Sequence, residues 1–268
     1  MNKIKASLFL LVTLIFVFFN GRLPKLILMV GDGTIQNTAM VYIRIFDILL
    51  MTLYIICSKV FFQINFGFKF SLKKCWLEYK LELFLSILVV GIYAGVNMFT
   101  SISLEKVFGT FPVSQIETAM LATLIAATIV GFQEEILSRV GITKALYFLF
   151  PNFKNPVLAI GIASSVIFGC IHLSNIFYGE SITYTLFQVF YAVGTGFFFI
   201  MLYFSTKSIV LSIICHSLVD WSDFFFNMFG EPDIGAVAWV PIVLGIISFI
   251  AGMIIYKKMN TKEVQVVQ

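Results

Sequence analysis

Long apolar runs separated by short polar connections dominate this chain. Measured against the ~20 residues that a hydrocarbon core requires, they predict about eight membrane-spanning helices. These lie near residues 6–20, 37–60, 80–101, 114–138, 156–178, 182–206, 208–229 and 236–256. Turn formers and charges fill the gaps: Pro24, Gly31, Asp32 and Gly33; Lys73 and Lys74; Glu105 and Lys106; Pro151 to Pro156; Gly179 and Glu180; Gly230 to Asp233. The expected fold is an all-α polytopic bundle. Arg44 and Asp47 fall inside the second span at i, i+3, where they can pair on one helical face as a structural element. Lys3 and Lys5 followed by SLFLLVTLIFVFF look like the start of a signal peptide, but Asn20 to Lys25 offers no small-x-small cleavage site, so an uncleaved first helix is expected.

Composition excludes a soluble domain. Hydrophobic residues make up 60% of the 268 residues and charged ones 12%, against roughly 45–50% and about 25% in soluble chains. No Pro/Gly/Ser-rich linker or internal repeat divides the chain, so residues 1–268 read as a single transmembrane domain. The basic residues set an orientation. With the N-terminus inside, Lys3, Lys5, the Lys59–Lys80 group, Arg139 to Lys154, Lys207 and the Lys257–Lys262 group all face one side, leaving Arg22, Lys25 and Lys106 opposite. Both termini are therefore expected in the cytoplasm. Cys57, Cys75, Cys170 and Cys215 show neither a paired spacing nor a CxxC. Nothing points to nucleic acid; membrane lipid is the expected surroundings.

Against this background the few intramembrane charges stand out, because an ionisable group in hydrocarbon costs roughly 2.5–3.5 kcal/mol on insertion scales. Glu134 and Glu135, with Arg139 four residues on, close one apolar run, and the chain's two histidines, His172 and His216, lie in two others. Glu135 and Arg139 can pair at i, i+4. Adjacent helical residues point about 100° apart, which leaves Glu134 to face elsewhere, in a low-dielectric site suited to general-base work. Phe168 and His172 are also i, i+4, as are His216 and Asp220, and a carboxylate one turn from an imidazole can fix its tautomer. A carboxylate base and two imidazoles on three helices are the parts needed to activate a water and stabilise an oxyanion. Taken literally, the spans place Glu134 and His172 at different depths. The helical spacing of VGITKALYFLF, which lacks Pro, predicts that the fourth helix runs on past Arg139 and removes the mismatch. The side chains of Glu134, His172 and His216 are then expected to converge on a wet cavity open to the cytoplasmic side.

Glu134-Glu135-x-x-x-Arg139, Phe168-x-x-x-His172 and His216-x-x-x-Asp220 together resemble the three motifs of the CPBP family of intramembrane proteases. That family holds the type II CAAX prenyl endopeptidases and bacterial relatives linked to bacteriocin self-immunity and peptide processing. The resemblance covers about residues 114–229. It implies that Glu134 and His172 hold and activate the hydrolytic water, that His216 and position 220 form the oxyanion site, and that Glu135 and Arg139 brace the helix. It also implies a membrane-bound or prenylated peptide or protein as substrate. The family's CAAX endopeptidases carry Asn where this chain has Asp220, and an ionised aspartate repels an oxyanion. Asp220 is therefore expected to be protonated, to orient His216, or to lie away from the reacting atoms.

Family members are often labelled metalloproteases, and a His₂Glu set can hold catalytic Zn²⁺. Were zinc present, Glu134, His172 and His216 would be its ligands. With no HExxH, glutamate chemistry without a cofactor is the favoured reading. Other classes fit parts of the pattern. A catalytically silent immunity or scaffold protein could share the fold, although the intact Glu134, His172 and His216 argue against it. A proton-coupled transporter could use the same Glu and His residues, but no two related halves are visible. A thiol protease built on Cys170 and His216 is a further alternative.

Overall fold

In hydrocarbon every backbone N–H and C=O has to be paired internally, and a helix does this within one segment. The computed structural model describes residues 1–19, 36–101, 109–227 and 239–259, and its helices follow that rule. They are α1 (Lys3–Phe19), α2 (Gln36–Phe62), α3 (Leu72–Glu78), α4 (Lys80–Ser101), α5 (Val113–Glu135), α6 (Thr143–Leu149), α7 (Pro156–Ile171), α8 (Ile182–Thr206), α9 (Val210–Asn227) and α10 (Val240–Lys258). A π-helical segment (Ile136–Ile142) joins α5 to α6, and a 3₁₀ segment (His172–Tyr178) follows α7. The turns expected at Pro24 to Gly33, at Glu105–Lys106 and at Gly230 to Asp233 lie outside the described residues. Among the described residues six helices are long and apolar enough to cross a membrane. α1, with 17 residues, and α9, which carries His216, Asp220 and Asp223, complete the bundle. The protein is an all-α integral membrane protein.

α8 lies at the centre. Phe197 to Phe204 are eight consecutive residues at 1% exposure or less, the mark of a helix buried on all sides rather than one with a single apolar face. α7, α9 and α10 pack around it. A Cβ at Gly194 would collide with the backbone of Gly245, so α8 and α10 meet backbone to backbone, as small residues permit in membranes. α1 buries Ala6, Phe9, Thr13 and Val17 on one stripe. The Thr13 hydroxyl donates to the Phe9 carbonyl at 2.8 Å and accepts from Tyr54 of α2 at 3.0 Å. Arg44 and Asp47 pair at 3.5 Å as the i, i+3 spacing predicted.

One expected extension is met, and two features differ from expectation. As the spacing of VGITKALYFLF predicts, the fourth helix runs on past Arg139: helix continues through the π turn and α6 to Leu149, making one run from Val113 to Leu149. The fifth is α-helical only to Ile171 and narrows to 3₁₀ from His172. The short helix α3 was not foreseen, because at seven residues it has no long apolar run; Ser71 caps it by accepting from Lys74 N–H at 3.3 Å.

Candidate active site

The site is built around Glu135, the last α-helical residue before the π turn. All seven residues of that turn are buried. π turns reset the face a helix presents and recur at functional sites. Arg139, within it, grips Glu135 in bidentate fashion: Nε donates to Oε2 at 3.0 Å and Nη2 to Oε1 at 3.0 Å. Both side chains are fully buried. The guanidinium also lies over the Phe168 ring, 4.7 Å from its centroid, a face-on placement in which cation and ring quadrupole attract.

Glu135 has a second partner that the i, i+4 spacing did not reveal. His216 Nδ1 lies 2.9 Å from Glu135 Oε1. A carboxylate already held by a guanidinium accepts, so Nδ1 carries the proton and donates. The other ring nitrogen, Nε2, faces Glu134 Oε2 at 3.7 Å and Asp220 Oδ2 at 3.6 Å. Both distances are in ion-pair range but too long for hydrogen bonds. Glu134 keeps 31% of its side chain exposed whereas Glu135 keeps none. The two neighbours thus divide as the helical geometry demands, one into open space and one into the bundle.

His172 opens the 3₁₀ segment, and its Nδ1 lies 3.0 Å from the Phe168 carbonyl oxygen. A carbonyl only accepts, so Nδ1–H donates here too, and the lone pair of the neutral ring sits on Nε2. The Phe168 ring meets both imidazoles edge to face, at 5.1 Å from His172 and 6.0 Å from His216. One aromatic side chain therefore walls both histidines and covers the arginine.

Three contributors gave no signal in the sequence. Phe199, from the central α8, stacks on His216 at 5.1 Å with 25° between the planes, but nothing in its local pattern separates it from the chain's other 30 phenylalanines. Gly196 leaves the space that Phe168 and Arg139 occupy: a Cβ there would lie 3.0 Å from the Phe168 ring. Gly131 lets α5 approach α9 so closely that a Cβ would come within 2.6 Å of Ser217 Oγ and 2.9 Å of its backbone nitrogen. That contact, one turn before Glu134 and Glu135 on α5 and next to His216 on α9, sets the two glutamates against the imidazole. Cys170 is exposed and Cys215 buried, and both are free thiols.

Among the described residues no three His, Cys, Asp or Glu side chains are grouped so as to hold a metal ion. Glu134, His172 and His216 are not gathered as such a set there, and no step below passes through a metal.

A helical membrane bundle with a carboxylate–guanidinium–imidazole chain buried among its helices is the class that fold and site define. Residues 116–222 match the family model of type II CAAX prenyl endopeptidase Rce1-like proteins. That stretch contains Glu134, Glu135, Arg139, Phe168, His172, His216 and Asp220, so the site lies within the part of the chain that is similar to that family. The Rce1-like family is a protease family. No curated protein and no solved structure matches the chain.

Proposed function

We propose that this protein is an intramembrane endopeptidase that hydrolyses a peptide bond of a membrane-associated, prenylated or otherwise lipidated peptide or protein, using water activated by Glu134. The observation that carries this reading is the division of labour around His216. Nδ1 is pinned to the buried Glu135–Arg139 pair, while Nε2 faces the partly open side where Glu134 and Asp220 stand.

Glu134 takes a proton from the water as its oxygen attacks the scissile carbonyl carbon. His172 accepts the water's other hydrogen on Nε2 and so aims the nucleophile. Negative charge develops on the carbonyl oxygen, where a doubly protonated His216 donates from Nε2. The tetrahedral intermediate collapses, the C–N bond breaks, and the proton held by Glu134 passes to the departing amine. Glu135 and Arg139 fix the His216 ring, Phe168 excludes water from behind it, and Asp220 orients His216 rather than donating to the oxyanion.

The test is hydrolysis by the purified protein in liposomes, with a farnesylated CAAX peptide and its unmodified counterpart, products read by mass spectrometry. Glu134→Gln is expected to lower the rate by ~10²–10⁴ at unchanged protein level. Full activity in Glu134→Gln would sink the mechanism, and equal cleavage of both peptides would remove the lipid from the substrate description.

A further inference from the structure

A second charged site lies away from this centre, where the N-terminal end of α1 meets the end of the long α5–α6 run. A cavity of about 170 Å³ opens there, lined by Lys5, Phe62, Gln63, Asn65, Lys144 and Phe148 among others, with no acidic residue in its lining. Lys144 is only 3% exposed. It donates to the Asn65 carbonyl at 2.7 Å, and among the described residues no carboxylate forms an ion pair with it or with Lys5. A buried ammonium normally has a charge partner, since desolvating it alone costs several kcal/mol. One carbonyl uses one of its three N–H donors.

The polar neighbours match the same ligand. The Asn65 side-chain oxygen accepts from Gly67 N–H at 3.0 Å, so the function it has left to offer is its NH₂ donor. Gln63 adopts φ 56°, a left-handed conformation that is uncommon outside glycine. It closes α2, with Gln63 N–H donating to the Lys59 carbonyl at 3.1 Å and Ile64 N–H to the Ser58 carbonyl at 3.1 Å. The loop wall is thereby held in place. Cationic and amide donors, apolar flanks from Phe62 and Phe148, and a position at the ends of three bundle helices suit a phosphate group in the headgroup layer.

We propose that this cavity binds the singly charged phosphate of an acidic phospholipid headgroup, with Lys144 and Lys5 as its cationic ligands and Gln63 and Asn65 as amide donors. Lys144 would then act as the counter-charge that ties α6 to α2 through a lipid.

The test compares the full chain in phosphatidylglycerol and phosphatidylcholine nanodiscs, and in detergent with inorganic phosphate or chloride at matched ionic strength. Retained lipid is read by native mass spectrometry and stability by the thermal midpoint. Phosphatidylglycerol is expected to be retained and to raise the midpoint of the wild type. Lys144→Met, which keeps the side-chain length, should cut retention about ten-fold or more, as loss of one charge-assisted hydrogen bond entails. Lys5→Gln should weaken retention in the same direction and carries the test if Lys144→Met does not accumulate. Lys154→Gln, an exposed change outside the cavity, should alter nothing. Equal retention in wild type and the cavity variants would overturn the proposal. A Lys144-dependent rise with inorganic phosphate but none with phosphatidylglycerol would equally overturn the lipid assignment, in favour of a free phosphate.

Discussion

Among the described residues two glutamates are fully buried, Glu135 and Glu82, and the comparison shows what separates a clamp from a reaction centre. Glu82 sits in the first turn of α4, where a negative charge complements the helix dipole. It accepts from Ser205 Oγ at 2.5 Å and from Lys258 Nζ at 2.7 Å, and so joins α4, α8 and α10. Its donors lead nowhere further: a hydroxyl on one side and a lysine reaching in from the surface on the other, 42% exposed. Glu135 is as buried and as well paired. One of its donors, however, is an imidazole whose second nitrogen faces two more carboxylates. Burial of a charge marks neither role. What the partner can do with its remaining atoms decides.

The sharpest way to test this contrast is to neutralise one carboxylate at each place. Glu134→Gln should cost ~10²–10⁴ in hydrolysis with an unchanged thermal midpoint, whereas Glu82→Gln should leave the rate per folded molecule intact. A comparable rate loss in both would erase the distinction. Next in size comes Glu135→Ala, which strands Arg139 in the bundle and should destabilise by about 3–5 kcal/mol, read as lower expression and an earlier thermal transition. Adding Arg139→Met should restore folding but not activity, because His216 still lacks its anchor. A stable, well-expressed and active Glu135→Ala protein would reduce the pair to decoration. Glu82→Ala should be milder, about 1–3 kcal/mol, since the half-exposed Lys258 can turn to water, and a loss as large as that of Glu135→Ala would contradict this. The smallest effects belong to the thiols. Cys170→Ser and Cys215→Ser should keep full activity, and an alkylating reagent should not inhibit. Cys75, outside the spans, should react slowly because burial pushes its thiol up. Loss of activity in either serine variant would revive a thiol mechanism on Cys170 and His216.

Much of this was legible in the chain, for reasons particular residues make plain. Hydrocarbon forces helices wherever an apolar run is long enough, so span positions follow from hydropathy alone. The i, i+4 rule joins Glu135 to Arg139 and Phe168 to His172 because both partners lie within one turn of one helix. The continuation of the fourth helix past Arg139 was readable too, since VGITKALYFLF has no Pro and keeps helical spacing. The π turn was not, because the widened turn fits around α1, where a Cβ at Gly141 would meet Thr13 and Tyr54. Neither was the short α3.

The sequence by itself determined the class of solvent, the helical architecture and the identity of the ionisable residues worth attention, because hydropathy and helical periodicity are local and the cost of a charge in lipid applies wherever it falls. Only the tertiary structure decided which carboxylate touches His216. Asp220 is one turn away on the same helix yet stands 3.6 Å from Nε2, while Glu135, 81 residues earlier, holds Nδ1 at 2.9 Å. That choice depends on how closely two helices approach. Here it rests on the missing side chain of Gly131 against Ser217, a contact between distant segments that no spacing within either one encodes.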